Sequence, residues 1–594
     1  MKSFSYKLIG ILIISLLISI SSFSQKNITI KILETSDVHG AIFPYDFIRN
    51  QPMESSLAQV YSYVKQERSN TAQQVVLLDN GDILQGQPPV YFSNFIDSTK
   101  SNLVSRVFNY MKYDAATIGN HDIETGPNVY RAIEKELAMP WLAANAISSE
   151  SKKPAFKPYT VVNKDGVKIA VLGLTSPGIP HWLPKILWPD MYFEDMIITA
   201  NYWVKYIQKK EKPHIIVGLF HSGHDASYGG ASTDEPKNEN ASLLVAKQVP
   251  GFDVILIGHD HDKLCKKIAN INGDSVLVMD PTSGARLISE ATINITLNKK
   301  GKLQSKSVNG KIIETKNFKP DGDFMAEFGD GYKKVEAFVK RPIGTFTQTM
   351  SSEDAYFGPT AFIDFIHSAQ LDLTKADISF VAPLSFVSTI KEGTVTVSDM
   401  FKLYRFENFL YTMSLTGKEI DAFLEYSVSL WFNTMKSADD HLIKFKTNPD
   451  GSIVINQQGK VQLFTNFYNF DSAAGIIYTV DVSKPDGEKV TIQSMTNGTP
   501  FDENKIYSVA INSYRGNGGG GHLTKGSGIA PDELPNRIKS STEKDLRFYI
   551  MKYIERKQTI TPSSFKTWKI IPEEWVNQGI IRDKKLLFNS PNND

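Results

Sequence analysis

Five short polar motifs hold the side chains of this 594-residue sequence that are suited to chemistry. In chain order they are Asp37-Val38-His39, Gly81-Asp82, Gly119-Asn120-His121-Asp122, His221-Ser222-Gly223-His224 and Gly258-His259-Asp260-His261. Each motif follows an apolar run that is typical of a buried strand, and sheets of such strands bind ligands beyond the strand ends. Histidine and aspartate seldom close buried strands for structural reasons alone. Five such strand ends in one chain therefore indicate a functional site.

The residue types in these motifs predict a site for divalent cations. The nitrogen and oxygen donors are two aspartates, one asparagine and four histidines, namely Asp37, His39, Asp82, Asn120, His221, His259 and His261. This set is large enough for two cations that share a carboxylate, and Asp82, on a glycine turn in the middle of the set, is the natural bridge. Mn²⁺, Zn²⁺, Co²⁺ and Fe²⁺ all accept such ligands. Because a pair of metal ions lowers the pKa of bound water and holds phosphoryl oxygens, we expect phosphoryl chemistry.

Strand-like and helix-like segments alternate over the first half of the chain. The predicted strands are Ile28–Glu34, Gln74–Asp79, Ala115–Ile118, Val167–Leu174, Ile215–Phe220 and Val254–Ile257. The predicted helices between them include Ser55–Arg68, Leu103–Met111, Asn128–Leu137, Ile197–Lys209 and Asn240–Lys247. This alternation is typical of an α/β fold in which helices cover the faces of a sheet.

A polar helix predicted over Phe324–Lys340 ends at Arg341-Pro342 and is typical of a connector between domains. The chain beyond it has its own predicted strands and helices and is long enough for an independent α+β domain. We therefore predict an N-terminal segment 1–24, a first domain 25–322, a linker helix 323–342 and a C-terminal domain 343–594.

Composition and the N-terminus limit the possible partners. The net charge of +1 gives no sign of a surface that coats a nucleic acid polymer. Lys2 and Lys7, the apolar run Leu8–Ile20 and small residues near Ser24 predict an export signal, with a retained membrane anchor as the alternative. After cleavage we expect no membrane contact, a periplasmic or extracellular location and a monomer, in which the single Cys265 forms no intrachain disulfide.

The five motifs, in this order, resemble those of the calcineurin-like metallophosphoesterases. The resemblance implies an N-terminal α/β sandwich that binds two metal ions. One ion would take Asp37, His39, Asp82 and His261, and the other would take Asp82, Asn120, His221 and His259. The resemblance also implies that His121 faces the phosphoryl oxygens or the leaving group. Glu124 would steady His121 at a position where relatives often have aspartate.

Aromatic residues of the second half predict how a substrate is held. Tyr514 and Arg515 precede a glycine-rich loop, and Tyr468 and Phe470 lie in a segment rich in aromatic residues. Two aromatic faces can hold a nucleobase by stacking. The alternative for Phe470 is core packing, because alternating aromatic residues of a strand usually face inward.

These segments extend the resemblance to the exported nucleotidase family, which has a C-terminal nucleotide-binding α+β domain. Tyr468–Asp471, Leu403–Asn408, Asn512–Arg515 and Glu239-Asn240-Ala241 are similar to the 2′,3′-cyclic-nucleotide 2′-phosphodiesterase/3′-nucleotidase branch. The 5′-nucleotidase branch carries a glycine-rich segment with Asn and Arg where this chain has Ile378–Ser385. We therefore expect hydrolysis of small 2′,3′-cyclic nucleotides and 3′-nucleotides. A 5′-nucleotidase or nucleotide-sugar hydrolase is the close alternative, and a non-catalytic exported binding protein is the distant one.

Overall fold

The computed structural model describes residues 25–97, 101–228, 231–456 and 459–588. The predicted export signal, residues 1–24, lies outside these ranges. Among the described helices, none is both long enough and apolar enough to cross a bilayer.

Two six-stranded sheets form the first domain. Its strands are β1 Lys26–Thr35, β2 Gln73–Asp79, β3 Ala115–Thr117, β4 Trp141–Leu142, β5 Tyr159–Lys164, β6 Val167–Thr175, β7 Ile215–His221, β8 Val254–Ile257, β9 Lys263–Ala269, β10 Ser275–Pro281, β11 Leu287–Leu297 and β12 Leu303–Glu314. One sheet has the order β12-β11-β1-β2-β3-β4 and the other has the order β9-β10-β8-β7-β6-β5. Strands β1 to β4 run parallel, as do β6, β7, β8 and β10. The predicted motifs therefore lie at the carboxyl ends of parallel strands in both sheets.

An apolar layer between the sheets explains why the central strands are apolar on both faces. Ile30 and Val76 of one sheet and Val171, Val217 and Leu256 of the other belong to this layer. The opposite face of each sheet packs against helices. These helices are α1 Leu57–Ser69, α2 Pro88–Phe95, α3 Leu103–Met111, α4 Asn120–Glu124, α5 Pro127–Glu136, α6 Ile179–Trp182, α7 Met196–Lys210 and α8 Ser242–Gln248. The structure confirms the α/β sandwich and adds the pairing of two sheets.

The predicted linker is helix α9, Gly322–Val339. It begins at Asp321, whose side chain accepts a hydrogen bond from the amide of Phe324. Phe324, Phe328 and Val335 are buried in the core of the first domain. The helix is therefore part of the packing of that domain rather than a free spacer.

A five-stranded mixed sheet organises the second domain. Its strands are β13 Ile378–Val381, β14 Leu410–Thr416, β15 Ser472–Ala474, β16 Ile506–Asn512 and β17 Ile538–Ser541, in the order β15-β13-β16-β14-β17. Its main helices are α10 Ala361–Thr374, α11 Val397–Leu403, α12 Gly417–Trp431, α13 Ser513–Gly516, α14 Leu546–Lys557 and α15 Glu573–Phe588. Two three-stranded sheets complete it, one of Pro342–Phe346, Gly393–Thr396 and Thr559–Ile560, the other of Ile476–Asp481, Val490–Met495 and Trp568–Ile571. This mixture confirms the α+β class.

The two domains contact each other beside the strand ends. The Tyr91 hydroxyl of α2 donates a hydrogen bond to Asp545 at 3.2 Å, and the guanidinium of Arg547 lies 5.0 Å from the centre of the Tyr91 ring. The Gln85 side chain donates to the carbonyl oxygen of Arg405 at 3.3 Å. These contacts hold the second domain over the polar motifs of the first.

Candidate metal centre and substrate cleft

The turns after the central strands place the predicted ligands. Five ligand residues have positive φ values of 48° to 86°, namely Asp37, His39, Asp82, His259 and His261. This backbone region is unfavourable for residues other than glycine and persists where the surrounding structure enforces it, often at functional sites. The His39 amide donates to the carbonyl oxygen of Asp82 at 2.9 Å, which joins the first two turns. The strain is therefore held by contacts between the turns.

Glycines allow these turns to approach one another. A Cβ on Gly119 would lie 2.1 Å from Oδ1 of Asp82. A Cβ on Gly258 would lie 2.0 Å from Oγ of Ser36 and 2.5 Å from Oδ2 of Asp37. Both positions need glycine because the neighbouring ligand turn fills the space that a side chain would take.

The first group of ligands consists of Asp37, His39 and His261. Nε2 of His39 lies 3.0 Å from Nε2 of His261, which lies 3.3 Å from Oδ1 of Asp37. Nδ1 of His39 lies 3.0 Å from the carbonyl oxygen of Gln85 and donates its proton there. The lone pair of His39 is therefore on Nε2, directed at the other two ligands, as in a metal site whose outer hydrogen bond fixes the tautomer.

The second group consists of Asp82, His221 and His259. Nε2 of His221 lies 3.0 Å from Oδ2 of Asp82 and 3.2 Å from Oδ1 of Asn120. Nδ1 of His221 donates to the carbonyl oxygen of Asn80 at 2.6 Å. All seven predicted metal ligands thus lie at the same edge of the sandwich, in two adjacent groups.

The electrostatics of the two groups suit cation binding. Burial, together with the charge of His261, lowers the pKa of His39 to about 3, and burial with His221 lowers that of His259 to about 4. Burial opposes ionisation of Asp82, but the charges of His221 and His121 outweigh it and lower its pKa. Neutral imidazoles and ionised carboxylates are the forms that bind divalent metals, and His39, His259 and Asp82 already have them. Burial opposes the charge of His221, but Asp82 raises its pKa to about 10, so His221 would release a proton when a cation binds.

His121 and Glu124 form a pair next to the ligands. Nδ1 of His121 lies 2.5 Å from Oε2 of Glu124, and its amide donates to Oδ1 of Asp82 at 2.8 Å. Burial disfavours the charged imidazole, but Asp82 and Glu124 raise the pKa of His121 to about 9. Glu124 therefore makes the predicted contact with His121. Among the described residues, Nε2 of His121 has no hydrogen-bond partner, so it can contact a substrate.

Tyr468 and Tyr514 of the second domain are half-buried at the domain interface. Helix α13, which carries Tyr514, packs against helix α6 of the first domain. Asn466 donates to the hydroxyl of Tyr228 at 2.9 Å and to that of Tyr468 at 2.6 Å, so it links the domains. The structure brings both tyrosines to the cleft beside the metal centre.

Two predicted substrate contacts lie elsewhere. Phe470 is 2% exposed and packs against Trp431 and Phe432, so the core interpretation is right and the base contact is wrong. Arg515 is 1% exposed because its guanidinium pairs with Asp471 at 2.7 Å. The same nitrogen, Nη2 of Arg515, also donates to the carbonyl oxygen of Tyr468. Arg515 therefore holds the backbone at Tyr468 from inside the domain, and the prediction that it contacts substrate is wrong.

Two residues that shape the centre had no role in the predictions from sequence. Asp122 accepts hydrogen bonds from the amides of Asp82, Ile83, Leu84 and Gly119, which fixes the turn that carries Asp82. Its place in the third motif was a signal for this role.

Trp182 stacks on the ligand His259, with ring centres 5.2 Å apart. No motif marks this tryptophan, because the contact joins distant parts of the chain.

Comparison with known proteins agrees with this geometry. Residues 30–263 match the family described as "Calcineurin-like phosphoesterase", and residues 342–525 match "5'-nucleotidase, C-terminal domain". The 2′,3′-cyclic-nucleotide 2′-phosphodiesterase/3′-nucleotidase of Haemophilus influenzae is 26% identical over 92% of this chain and 88% of its own. The protein of the same name from Salmonella typhimurium is 27% identical over 93% of this chain and 90% of its own. The structure of a 5′-nucleotidase precursor from Thermus thermophilus covers 92% of this chain and 100% of its own, with 20% identity and a TM-score of 0.60.

The fold and the ligand set define a metal-dependent phosphoric ester hydrolase. More narrowly, the chain joins a calcineurin-like phosphoesterase domain, residues 30–263, to a 5′-nucleotidase C-terminal domain, residues 342–525.

Proposed function

We propose that this protein hydrolyses 2′,3′-cyclic nucleotides to 3′-nucleotides and then releases phosphate from these. The observation that carries the proposal is the His121–Glu124 pair, which adjoins Asp82 and whose charges act on Glu407 of the second domain. The names of the relatives from Haemophilus influenzae and Salmonella typhimurium, which match over nearly the whole chain, support the choice of substrate.

Two metal ions fit the two ligand groups, with Asp82 as the proposed bridge. When bound, they supply activation of water and hold the phosphoryl oxygens. Asp37 and Asp82 contribute negative charge, and Gln85 and Asn80 fix the tautomers of His39 and His221 through their carbonyl oxygens.

Asp82 and Glu124 raise the pKa of His121 to about 9 in the metal-free protein, and we assign His121 the role of proton donor to the leaving group. In the first reaction, the oxygen of water bonds to phosphorus, the bond from phosphorus to the 2′ oxygen breaks, and that oxygen takes a proton from Nε2 of His121. The attacking water loses one of its protons to solvent, and a proton from solvent restores Nε2 of His121. In the second reaction, the bond to the 3′ oxygen breaks in the same way. Glu124 keeps the Nδ1 proton of His121 in place and stabilises the charged imidazole.

The second domain would hold the nucleoside. Tyr468 and Tyr514 offer aromatic faces at the cleft, and stacking on such faces contributes about 1–3 kcal/mol per base. Arg515 and Asn466 fix Tyr468 from its main chain and its hydroxyl, respectively. The aromatic side chains are therefore set in place before a base arrives.

A 5′-nucleotidase is the second candidate, because Arg405 lies near two further arginines, although its segment Leu403–Asn408 is similar to the cyclic-phosphodiesterase branch. Burial and the nearby charges of Arg49 and Arg286 lower the pKa of Arg405, so three guanidinium groups lie near the domain interface. Arginine clusters of this kind bind phosphate. Arg405 could thus replace the arginine that the Ile378–Ser385 segment lacks.

Phosphate release decides between these candidates. Purified protein, stripped of metal and reloaded with Mn²⁺, is given 2′,3′-cyclic AMP, 3′-AMP and 5′-AMP in parallel, and products of the cyclic substrate are identified by chromatography. Preference for the first two supports the proposal, and preference for 5′-AMP assigns the second candidate. Stoichiometric metal without turnover of any phosphoester would make the protein a binding protein. Export stays a prediction from residues 1–24, which cell fractionation tests.

A further inference from the structure

Glu239 is a carboxylate of the first domain that the reaction above does not use. Its main-chain carbonyl accepts hydrogen bonds from Oγ of Ser222 at 2.7 Å and from Oγ of Ser176 at 3.0 Å. Ser222 follows the ligand His221, and Ser176 follows strand β6. The backbone of Glu239 is therefore fixed to the same strand ends that carry the metal centre.

The side chain of Glu239 lies beside the wall of the cleft. A Cβ on Gly178 would lie 3.2 Å from the Cβ of Glu239 and 2.6 Å from the ring of Trp182. Because Trp182 stacks on His259, Glu239 is one side chain removed from a metal ligand.

The carboxylate of Glu239 is near the tyrosines that would hold a base. Its charge contributes to the raised pKa values of Tyr228 and Tyr514. Helix α13, which carries Tyr514, packs on helix α6, which carries Trp182. Within the described part of the chain, the hydrogen bonds of Glu239 go to its carbonyl oxygen, which leaves the half-buried carboxylate open to a ligand. Burial and the charge of Glu235 raise the pKa of Glu239 to about 7, and the charge of Lys525 opposes this shift, so the rates below are measured at pH 8, where the carboxylate is ionised.

We propose that Glu239 binds the hydrogen-bonding edge of the nucleobase and makes the site prefer guanine. The proposal rests on the function proposed above. A carboxylate accepts two parallel hydrogen bonds, and guanine presents two adjacent donors, N1–H and the 2-amino group. Adenine and cytosine present one donor beside an acceptor, and uracil presents one donor between two acceptors. An acceptor placed against their acceptors is left without a partner, which lowers affinity.

Rates with matched bases test this role. We would measure kcat and KM for 3′-GMP, 3′-IMP and 3′-AMP with the unmodified protein, Glu239→Gln and the control Asp234→Asn, an exposed acid on the same loop. The unmodified protein is expected to prefer 3′-GMP, with 3′-IMP intermediate because hypoxanthine keeps N1–H and lacks the amino group. Glu239→Gln should reduce the ratio of kcat/KM for 3′-GMP over 3′-AMP by about tenfold, through KM, since one lost hydrogen bond is worth about that factor. Asp234→Asn should leave the ratio unchanged.

The outcome separates this role from the general reaction. An unchanged ratio in Glu239→Gln, with normal hydrolysis of 3′-AMP, overturns the role of Glu239 and leaves the proposed function standing. Equal hydrolysis of a non-nucleotide ester, bis(p-nitrophenyl) phosphate, by all three proteins shows that the metal centre is intact. If the protein acts only on 5′-nucleotides, the proposed function fails, and the same ratio measured with 5′-GMP and 5′-AMP still decides whether Glu239 contacts the base.

Discussion

Buried histidines of the two domains have similar pKa values but different partners. Burial lowers the pKa of His39 in the first domain and of His367 in the second to about 3. Nδ1 of His367 lies 2.9 Å from the hydroxyl of Ser379, and its Nε2 lies 3.3 Å from the hydroxyl of Ser472. His39 instead directs one nitrogen at a carbonyl oxygen and the other at His261.

The difference shows that partners, not burial, distinguish a ligand from a structural histidine. A hydroxyl can donate or accept, so both nitrogens of His367 are satisfied by the protein alone. Two imidazole nitrogens and a carboxylate oxygen that converge without a proton donor, as around His39, require a cation or a proton between them. The predictions below test this contrast.

The largest expected effect is the loss of turnover in Asp82→Asn. This side chain belongs to a ligand group and accepts from the amide of His121, so kcat should fall by at least about 10³-fold. The measurement is phosphate release together with metal content per chain. Asp262→Asn is the matched control, because this neighbouring acid is 61% exposed and should keep its activity. Near-normal turnover in Asp82→Asn with metal present would contradict the assignment.

Replacing Glu124 should have the next largest effect. Glu124→Gln removes the charge that stabilises the imidazolium of His121, and we expect kcat to fall by about 10²-fold with little change in KM. Glu124→Asp, which shortens the side chain but keeps the charge, should recover part of the rate. A rise in KM with kcat unchanged would instead indicate that Glu124 helps to hold the substrate.

Metal should stabilise the protein through the histidines of the first domain only. At a Mn²⁺ concentration of about 100 times Kd, binding is worth about 2.7 kcal/mol, which raises the thermal midpoint. His39→Gln should lose much of this shift, whereas His367→Gln should keep it, even if its starting midpoint is lower. An equal loss in both variants, measured by calorimetry with and without EDTA, would remove the contrast between the two histidines.

The smallest effect concerns His367 and pH. Its folded pKa of about 3 lies below the unfolded value of about 6.5, so the unfolded chain binds the extra proton between these values. Stability is therefore complete above pH 6.5 and falls as the pH drops, by about 2 kcal/mol between pH 7 and pH 5. Urea unfolding at both pH values should show a smaller loss in His367→Gln than in the unmodified protein. Equal losses would mean that His367 already carries a proton when folded.

Local sequence patterns predicted helices and strands, but they did not predict which distant strands pair with one another. Leu103–Met111 and Val254–Ile257 have the same bounds in the sequence interpretation and in the structure. The apolar runs did not show that the first domain has two sheets, because a run indicates a strand but not its neighbour. The polar strand ends were informative because parallel strands bring their carboxyl ends to one edge.

Aromatic residues were the least predictable part of the site. Phe470 and Tyr468 lie two residues apart in one segment, yet Phe470 enters the core and Tyr468 reaches the cleft. Composition cannot decide this, because other residues set the direction of each ring. Phe470 packs against Trp431, and the hydroxyl of Tyr468 accepts a hydrogen bond from Asn466.

Gly119 has a consequence for how this protein tolerates sequence change. It binds nothing itself, yet any side chain at this position would compete with an oxygen of Asp82 for the same volume. A single added methyl group would therefore displace the ligand or the turn that holds it. In a survey of substitutions, changes of this glycine should reduce activity as strongly as changes of the predicted ligands. Activity would thus depend on a position that contributes no side chain.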